Sequence, residues 1–239
     1  MSLSLVAFVS CEDKENRNKE PFYKSGTEDG HDYVDFGLPS GTKWATCNVG
    51  ATKPEEVGNY YAWGETTTKE TYNWSNYKYY GDTYTKYNGT TDHKTILDPS
   101  DDAAYVNWGG KWRMPTYDQM KELIEECCWI HTENYNGSNV EGVIVYKAKE
   151  SSDKRRFYLF PLSSYSLSDI HIFLPESGYD NDNHFFLKKY EYYWSSSIDR
   201  SISNNHSHPA VLYCDYSSAK ISCIFGNRVY GCPIRPVFK

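Results

Sequence analysis

The sequence lacks the features that mark several common protein classes. Its 239 residues contain no run of more than three basic side chains, and the formal net charge is −7. A protein that binds the phosphate backbone needs clustered Lys and Arg, so nucleic acid is an unfavourable partner for this chain. There is neither a CxxC pair nor a Cys/His cluster with zinc spacing, and this absence argues against a structural zinc site.

Methionine is scarce, with 3 residues, whereas tyrosine is abundant, with 23. With 7 Trp and 10 Phe, aromatic residues make up 17 % of the chain, and hydrophobic residues 39 %, enough for one substantial core. Tyrosine supplies a large contact area with few torsions to freeze, and its hydroxyl tolerates water. The composition therefore favours a binding protein with a tyrosine-rich surface, and we expect no enzymatic activity.

The N-terminal residues are apolar but too few to span a bilayer. Residues 1–10 read MSLSLVAFVS and precede Cys11, as in a signal peptide that ends in a bacterial lipobox. We expect residues 1–11 to be this signal, with Cys11 lipidated and anchoring the protein in the outer membrane at the cell surface. The polar residues that follow predict a tether over 12–31, although a buried N-terminal strand is the alternative for the apolar stretch. If Cys11 carries lipid, six cysteines remain, and fifteen disulfide pairings are open.

The clearest predicted helix spans residues 117–127. Thr116 and Gln119 form a T-x-x-Q capping box, and apolar residues follow at i, i+3, i+4 and i+7 from Met120. A shorter helix is predicted over 101–106, and strands over 142–148, 157–160, 172–174, 192–197, 210–215, 220–225 and 233–237. Helices that precede a series of antiparallel strands imply an α+β fold, in one domain that covers residues 32–239.

Residues 59–89, hereafter the aromatic segment, contain no Val, Ile or Leu. With so little aliphatic content, the segment is expected to wrap the domain as a long loop and to contribute little to the core.

Several short motifs occur together in one order and carry a family resemblance. They are residues 33–51 (YVDFGLPSGTKWATCNVGA), 61–65 (YAWGE), 102–104 (DAA), 108–116 (WGGKWRMPT), 173–175 (FLP), 193–197 (YWSSS) and 234–237 (IRPV). From about Tyr33 to its C-terminus, the chain resembles the Fibrobacter succinogenes major paralogous domain family. These are exported proteins of gut Bacteroidetes, similar in fold to C-type lectins and formylglycine-generating enzymes.

This resemblance implies a C-type-lectin-like fold, with one or two helices packed on short antiparallel strands and with long irregular loops that carry ligand contacts. The first and last strands are expected to pair, with Trp44 on the first strand and residues 233–237 on the last. We expect five tryptophans to pack in or beside the core: Trp44, Trp63, Trp108, Trp112 and Trp194.

The resemblance also raises a catalytic alternative. Formylglycine-generating enzymes act through two cysteines that lie close together late in the chain, whereas Cys223 and Cys232 are farther apart in this sequence. We therefore do not carry that activity over, and it remains the enzymatic alternative.

Metal binding has weak candidates. Residues 180–183 (DNDN) offer oxygen ligands for calcium, but the spacing of an EF-hand is absent, and a polar turn that caps its own backbone explains them as well. His206 and His208 lack a third ligand. No cofactor is predicted, with calcium the one possibility left open.

Residues 195–235 contain no Glu, Gln, Met or Trp. Strands and turns favour the residues found there, and diversification of AAY codons by a retroelement, known in similar lectin-like proteins, would leave the same composition. Both explanations stay open. Because Asn, Tyr, Ser, His and Gly suit adaptable contacts, the predicted ligand-binding residues are Asn204, Asn205, His206, His208, Tyr213, Tyr216, Asn227 and Tyr230. The aromatic segment is the second choice.

These expectations combine into an adhesin-like surface protein that binds a host or bacterial surface protein or a glycan. The alternatives are a formylglycine-generating-type enzyme and a structural subunit of a surface fibre or adhesin tip.

Overall fold

A computed structural model describes residues 22–81, 83–88, 92–181, 189–198 and 208–239. This part of the chain contains two helices and eleven strands, which confirms the predicted α+β class. The helices are α1 (Ala103–Trp108) and α2 (Tyr117–Glu126). The strands are β1 (Gly26–Glu28), β2 (His31–Val34), β3 (Lys43–Ala45), β4 (Cys127–Thr132), β5 (Gly142–Lys147), β6 (Arg156–Tyr158), β7 (His171–Pro175), β8 (Tyr190–Ile198), β9 (Pro209–Asp215), β10 (Lys220–Phe225) and β11 (Val237–Phe238).

The strands form three sheets, with the orders β1-β2-β3-β11, β10-β9-β8 and β6-β4-β5-β7. Neighbouring strands are antiparallel except β4 and β6, which are parallel. Val237 of β11 pairs with Trp44 of β3, so an early strand and the last strand meet in one sheet. Trp44 lies on the third strand instead of the first, because β1 and β2 precede it.

Helix α2 begins where its sequence predicts. The Thr116 hydroxyl accepts a hydrogen bond from the Gln119 backbone N–H, and the Gln119 side chain accepts one from the Thr116 N–H, which closes the capping box. The apolar face of the helix buries Met120, Leu123 and Ile124. Cys127, predicted as the last helical residue, instead begins β4, so the strand follows the helix without a loop.

Two predicted boundaries are wrong. Of the strand expected at 233–237, only Val237 is in a strand, because Pro233 and Pro236 have no N–H to donate to a ladder. The tether expected at 12–31 includes β1, which pairs residue by residue with β2, so its last residues belong to the fold. Residues 1–21, with the predicted signal and Cys11, lie outside the described residues.

The two largest groups of buried side chains lie on opposite sides of β8 and β9, and two smaller groups complete the interior of the described residues. The aliphatic cluster lies around α2 and includes Leu123, Ile124, Trp129, Val143, Val145, Ile172, Leu174, Leu212, Cys214 and Tyr216. The aromatic cluster lies on the other side of β8 and β9 and includes Tyr61, Trp63, Tyr72, Tyr77, Tyr79, Tyr87, Trp194, Val211, Val229 and Ile234. Successive residues of β8 and β9 face opposite sides, so Trp194 and Val211 enter one cluster while Tyr193 and Leu212 enter the other.

The expectation that the aromatic segment contributes little to the core is wrong. Its described residues form no long helix or strand, yet six of its aromatic side chains are buried in the aromatic cluster: Tyr61, Trp63, Tyr72, Tyr77, Tyr79 and Tyr87. Most of their polar atoms have a hydrogen-bond partner, as the Tyr77 hydroxyl has in the Trp63 carbonyl at 2.8 Å, whereas the Tyr79 hydroxyl has none among the described residues. Aromatic rings, most of them with a paired polar atom, therefore replace the missing aliphatic residues.

The five tryptophans predicted to pack in or beside the core do so. Trp44, Trp63, Trp112 and Trp194 are fully buried, and Trp108 is partly buried against Trp112 and the His31 ring. The six cysteines of the described residues are all free thiols: Cys47, Cys127, Cys128, Cys214, Cys223 and Cys232. Across the described ranges, the helices are too short and too polar for any of them to cross a membrane.

Candidate binding surface

A groove of about 410 Å³ opens where the aromatic segment meets the C-terminal turn. It is lined by Tyr72, Asn73, Trp74, Ser75, Asn181, Asn227, Val229 and Tyr230. These residues come from both regions that the sequence singles out for ligand contact, although more than 150 positions separate Tyr72 from Tyr230. The fold therefore joins the first and second predicted contact regions in one concavity.

One wall of the groove is a 3-10 turn, Trp74–Asn76, that leaves the Trp74 ring 38 % exposed. The Asn73 side chain accepts a hydrogen bond from the Ser75 N–H at 2.9 Å, and the Asn76 side chain accepts one from the Asn73 N–H, which caps the turn. The Trp74 ring lies 4.7 Å from the Tyr80 ring. A capped turn and a neighbouring ring thus hold an exposed indole in place.

Tyr72 lines the bottom of the groove beside this wall. Its hydroxyl donates to the Tyr60 carbonyl at 2.6 Å and accepts from the Lys69 N–H at 3.2 Å. The backbone at Gly231 passes so close to Tyr72 that a Cβ on this glycine would lie 3.0 Å from the Tyr72 ring. Glycine at 231 therefore allows the backbone to pack directly on the ring.

The other wall is the turn over residues 227–230, closed by a hydrogen bond from the Tyr230 N–H to the Asn227 carbonyl at 3.0 Å. Arg228 points away from the solvent and is fully buried. Its guanidinium donates to the carbonyls of Lys86 and Tyr87 and lies 4.2 Å from the centre of the Tyr84 ring. This contact ties the C-terminal turn to the end of the aromatic segment.

A row of partly exposed tyrosines continues from the groove across β8 and β9, hereafter the tyrosine stripe. Tyr230 stacks on Tyr179 at 4.6 Å, and each following ring lies within 6 Å of the one before it. In order from the groove, the stripe consists of Tyr230, Tyr179, Tyr192, Tyr213 and Tyr190. The stripe offers a ligand one continuous aromatic surface.

The eight described residues that line the groove carry no ionisable acid or base other than tyrosine. Burial raises the pKa of Tyr72 to about 12. In the stripe, burial and then the nearby Asp215 carboxylate raise the pKa of Tyr213 to about 12. These hydroxyls therefore stay neutral at physiological pH, and the described lining of the groove presents rings, amides and hydroxyls without charge.

The predicted contact residues divide into three groups. Asn227 and Tyr230 line the groove, and Tyr213 belongs to the stripe. His208 is partly exposed just before β9 and is not among the groove residues. Asn204, Asn205 and His206 lie outside the described residues.

Tyr216 is wrong as a contact residue. Its side chain is 6 % exposed, and its hydroxyl donates to the Glu191 carboxyl at 2.5 Å inside the aliphatic cluster. The cause is strand alternation, since Tyr216 follows Leu212 and Cys214 on the inward face while Tyr213 and Asp215 point outward.

Sequence reasoning missed Trp74, Asn181, Tyr179, Tyr190 and Tyr192 as individual surface residues. For Tyr190 and Tyr192 a signal existed. They alternate along β8 with the fully buried Glu191 and Tyr193. Such alternation predicts a half-buried strand with tyrosines on its outward face. No local signal marks Trp74 or Asn181, because the groove forms only when distant segments meet.

Cys223 and Cys232, the residues of the enzymatic alternative, pack against different clusters, the aliphatic and the aromatic one respectively. Burial raises the pKa of both thiols, that of Cys223 to about 12. Neither is therefore a thiolate at neutral pH.

The calcium candidate at residues 180–183 is described only in its first half. The Asp180 backbone pairs with Gly231, and Asn181 lines the groove, whereas residues 182 and 183 lie outside the described part. Within the described ranges, no three His, Cys, Asp or Glu side chains approach one another closely enough to hold a metal ion.

Comparisons of the chain with protein-family models, with curated proteins and with solved structures find no match.

Proposed function

We propose that this protein binds a ligand at the bacterial cell surface, in the manner of an adhesin, through the groove and the tyrosine stripe. The observation that carries this proposal is the groove itself, in which Trp74 and Tyr230, from distant parts of the chain, face one concavity whose described lining carries no charge. An exposed indole held by a capped turn has little reason to be there for folding alone, since burying it would stabilise the protein more.

The proposal includes a C-type-lectin-like fold, membership in the family that the sequence resembles, and an extracytoplasmic location with lipid on Cys11. Pairing of β3 with β11, which brings the two ends of the domain together, supports the fold. Irregular segments that converge on one site support the idea that loops, rather than sheet faces, begin the contact with the ligand.

A binding screen of the 239-residue chain against immobilised glycans and host surface proteins tests the proposal. For any ligand found, we expect the double variant Trp74→Ala, Tyr230→Ala to lose binding at least about tenfold, because both rings contribute apolar contact area. The matched control is Phe160→Ala, which removes a ring that is 76 % exposed and does not line the groove. Binding that survives the double variant, or is lost equally in the control, contradicts the assignment of the groove.

A further inference from the structure

We infer that the groove takes an uncharged glycan, with the face of one sugar ring stacked on Trp74 and further sugars following the tyrosine stripe. This inference rests on the proposed function and names the ligand class of the same groove.

The absence of charge in the lining is the first argument. Burying an unpaired charge against rings and amides costs several kcal/mol, so a ligand with sulfate, carboxylate or ammonium groups would need an opposite charge in the wall. The described lining consists of four asparagine and serine residues, three aromatic residues and one valine. Such a wall matches a neutral ligand rich in hydroxyl groups.

The chemistry of a sugar fits both kinds of side chain. Its C–H face is apolar and flat enough to cover an aromatic ring, and its hydroxyls pair with amides, which both donate and accept. The Asn227 carboxamide is oriented by its own backbone turn, with its oxygen accepting from the Val229 N–H at 3.4 Å. Trp74 is held by the capped turn, so neither side chain loses much freedom on binding.

The volume of the groove favours a glycan over a protein partner. A concavity of about 410 Å³ lies within the range of small-molecule pockets, about 300–1,000 Å³. A stable protein–protein interface buries about 800 Å² on each partner and is enriched in aromatic residues and Arg, of which the described lining has the aromatic residues but no Arg.

The tyrosine stripe sets the expected length of the glycan. Neighbouring rings lie 4.6 to 5.7 Å apart, with no break between Tyr230 at the groove and Tyr190 at the far end. A single sugar in the groove does not reach the far rings, whereas an oligosaccharide does. Tyr213, one step before the end, therefore contributes to binding of long chains and not of short ones.

Isothermal titration with uncharged glucan, mannan, xylan and galactan oligosaccharides, as disaccharides and as longer chains, tests the inference. Sulfated and sialylated glycans, and collagen and fibronectin, form the comparison arms. We expect binding of at least one neutral oligosaccharide, weakened about tenfold by Trp74→Ala and unchanged by Phe160→Ala. Tyr213→Ala should weaken the longer chain and leave the disaccharide unaffected. Circular dichroism and a thermal melt establish that each variant is folded.

Binding measured at different salt concentrations and in the presence of a chelator tests the ligand class further. Binding through rings and amides should change little between about 50 mM and 500 mM salt and should survive EDTA. Loss of binding in EDTA, or groove-dependent binding only of a charged glycan or of a protein, overturns the neutral-glycan inference while leaving the proposed function in place. Absence of any ligand in all arms, or binding that ignores Trp74→Ala, defeats the proposed function as well.

Discussion

The aliphatic and aromatic clusters are both buried, but they are built from different kinds of side chain and of chain segment. In the aliphatic cluster, the regular elements α2, β4, β5 and β7 contribute side chains at their own periods, and dispersion and apolar burial hold them together. In the aromatic cluster, an irregular segment contributes rings whose polar atoms must find partners. The indole N–H groups of Trp63 and Trp194 donate to the Ser195 and Tyr61 carbonyls, both at 2.8 Å.

The indoles of the aliphatic cluster contrast with this pattern. Among the described residues, the buried N–H groups of Trp44 and Trp129 have no hydrogen-bond acceptor. The aromatic cluster has an unpaired group of its own, the Tyr79 hydroxyl, but both of its buried indoles are paired, whereas neither buried indole of the aliphatic cluster is. Apolar packing in the aliphatic cluster outweighs the cost of these unpaired donors. The groove is built on the cluster whose indoles are paired.

The largest expected effect concerns two buried carboxyl groups, one beside each cluster, whose contributions to stability change with pH in opposite directions. Glu191 is 0 % exposed, and burial raises its pKa to about 8 despite the hydrogen bond from Tyr216. The unfolded chain loses this proton near pH 4.5, so wild-type stability should fall by up to about 1.4 kcal/mol per pH unit between roughly pH 4.5 and 8. Glu191→Gln cannot ionise and should remove this slope in urea denaturation measured across the window.

Asp101 changes the pH dependence of stability in the opposite direction. Burial alone would raise its pKa, but hydrogen bonds from Lys86, Tyr87 and Lys78 hold the pKa well below the usual range. Its stabilising contribution is present above about pH 4 and is lost as pH falls below that value, so Asp101→Asn should weaken the protein at neutral pH and matter less in acid. Equal pH profiles for the two variants would contradict this contrast.

A smaller effect is expected from a matched pair of tryptophans. Trp63→Phe leaves the buried Ser195 carbonyl without its donor, whereas Trp129→Phe removes a donor that has no acceptor. Both changes remove similar volume, so we expect Trp63→Phe to lower the free energy of unfolding by about 1–3 kcal/mol more than Trp129→Phe. Chemical denaturation measures the difference. Equal losses would show that hydrogen bonds do not distinguish the clusters.

The smallest effect should come from a matched pair of glycines. Gly231→Ala brings a methyl group to 3.0 Å from the Tyr72 ring, which its two hydroxyl hydrogen bonds hold in place. We expect a loss of about 1 kcal/mol and weaker binding in the groove. Gly81→Ala meets no atom within 4 Å and serves as the control. If the two variants have the same stability and ligand affinity, the close packing on Tyr72 does not shape the groove.

Local patterns predicted the parts of the fold that depend on neighbouring residues. The capping box placed the start of α2, and the alternation of apolar residues placed β9 and β10 within one residue of their ends. Prediction failed where prolines removed ladder donors, at residues 233–236, and where a helix passed directly into β4. In both places a second local rule competed with the pattern on which the prediction was based.

The sequence alone determined the abundance of aromatic residues, the absence of a long basic run, the α+β class and the packing of five tryptophans in or beside the core, because composition and short periods suffice for these. Only the tertiary structure decided which tyrosines serve which role. Strand alternation placed Tyr213 in the stripe and Tyr216 in the core, and a buried Arg228 joined the C-terminal turn to Lys86 and Tyr87 of the aromatic segment across more than 140 positions of sequence. Such contacts depend on long-range packing, which no local pattern encodes.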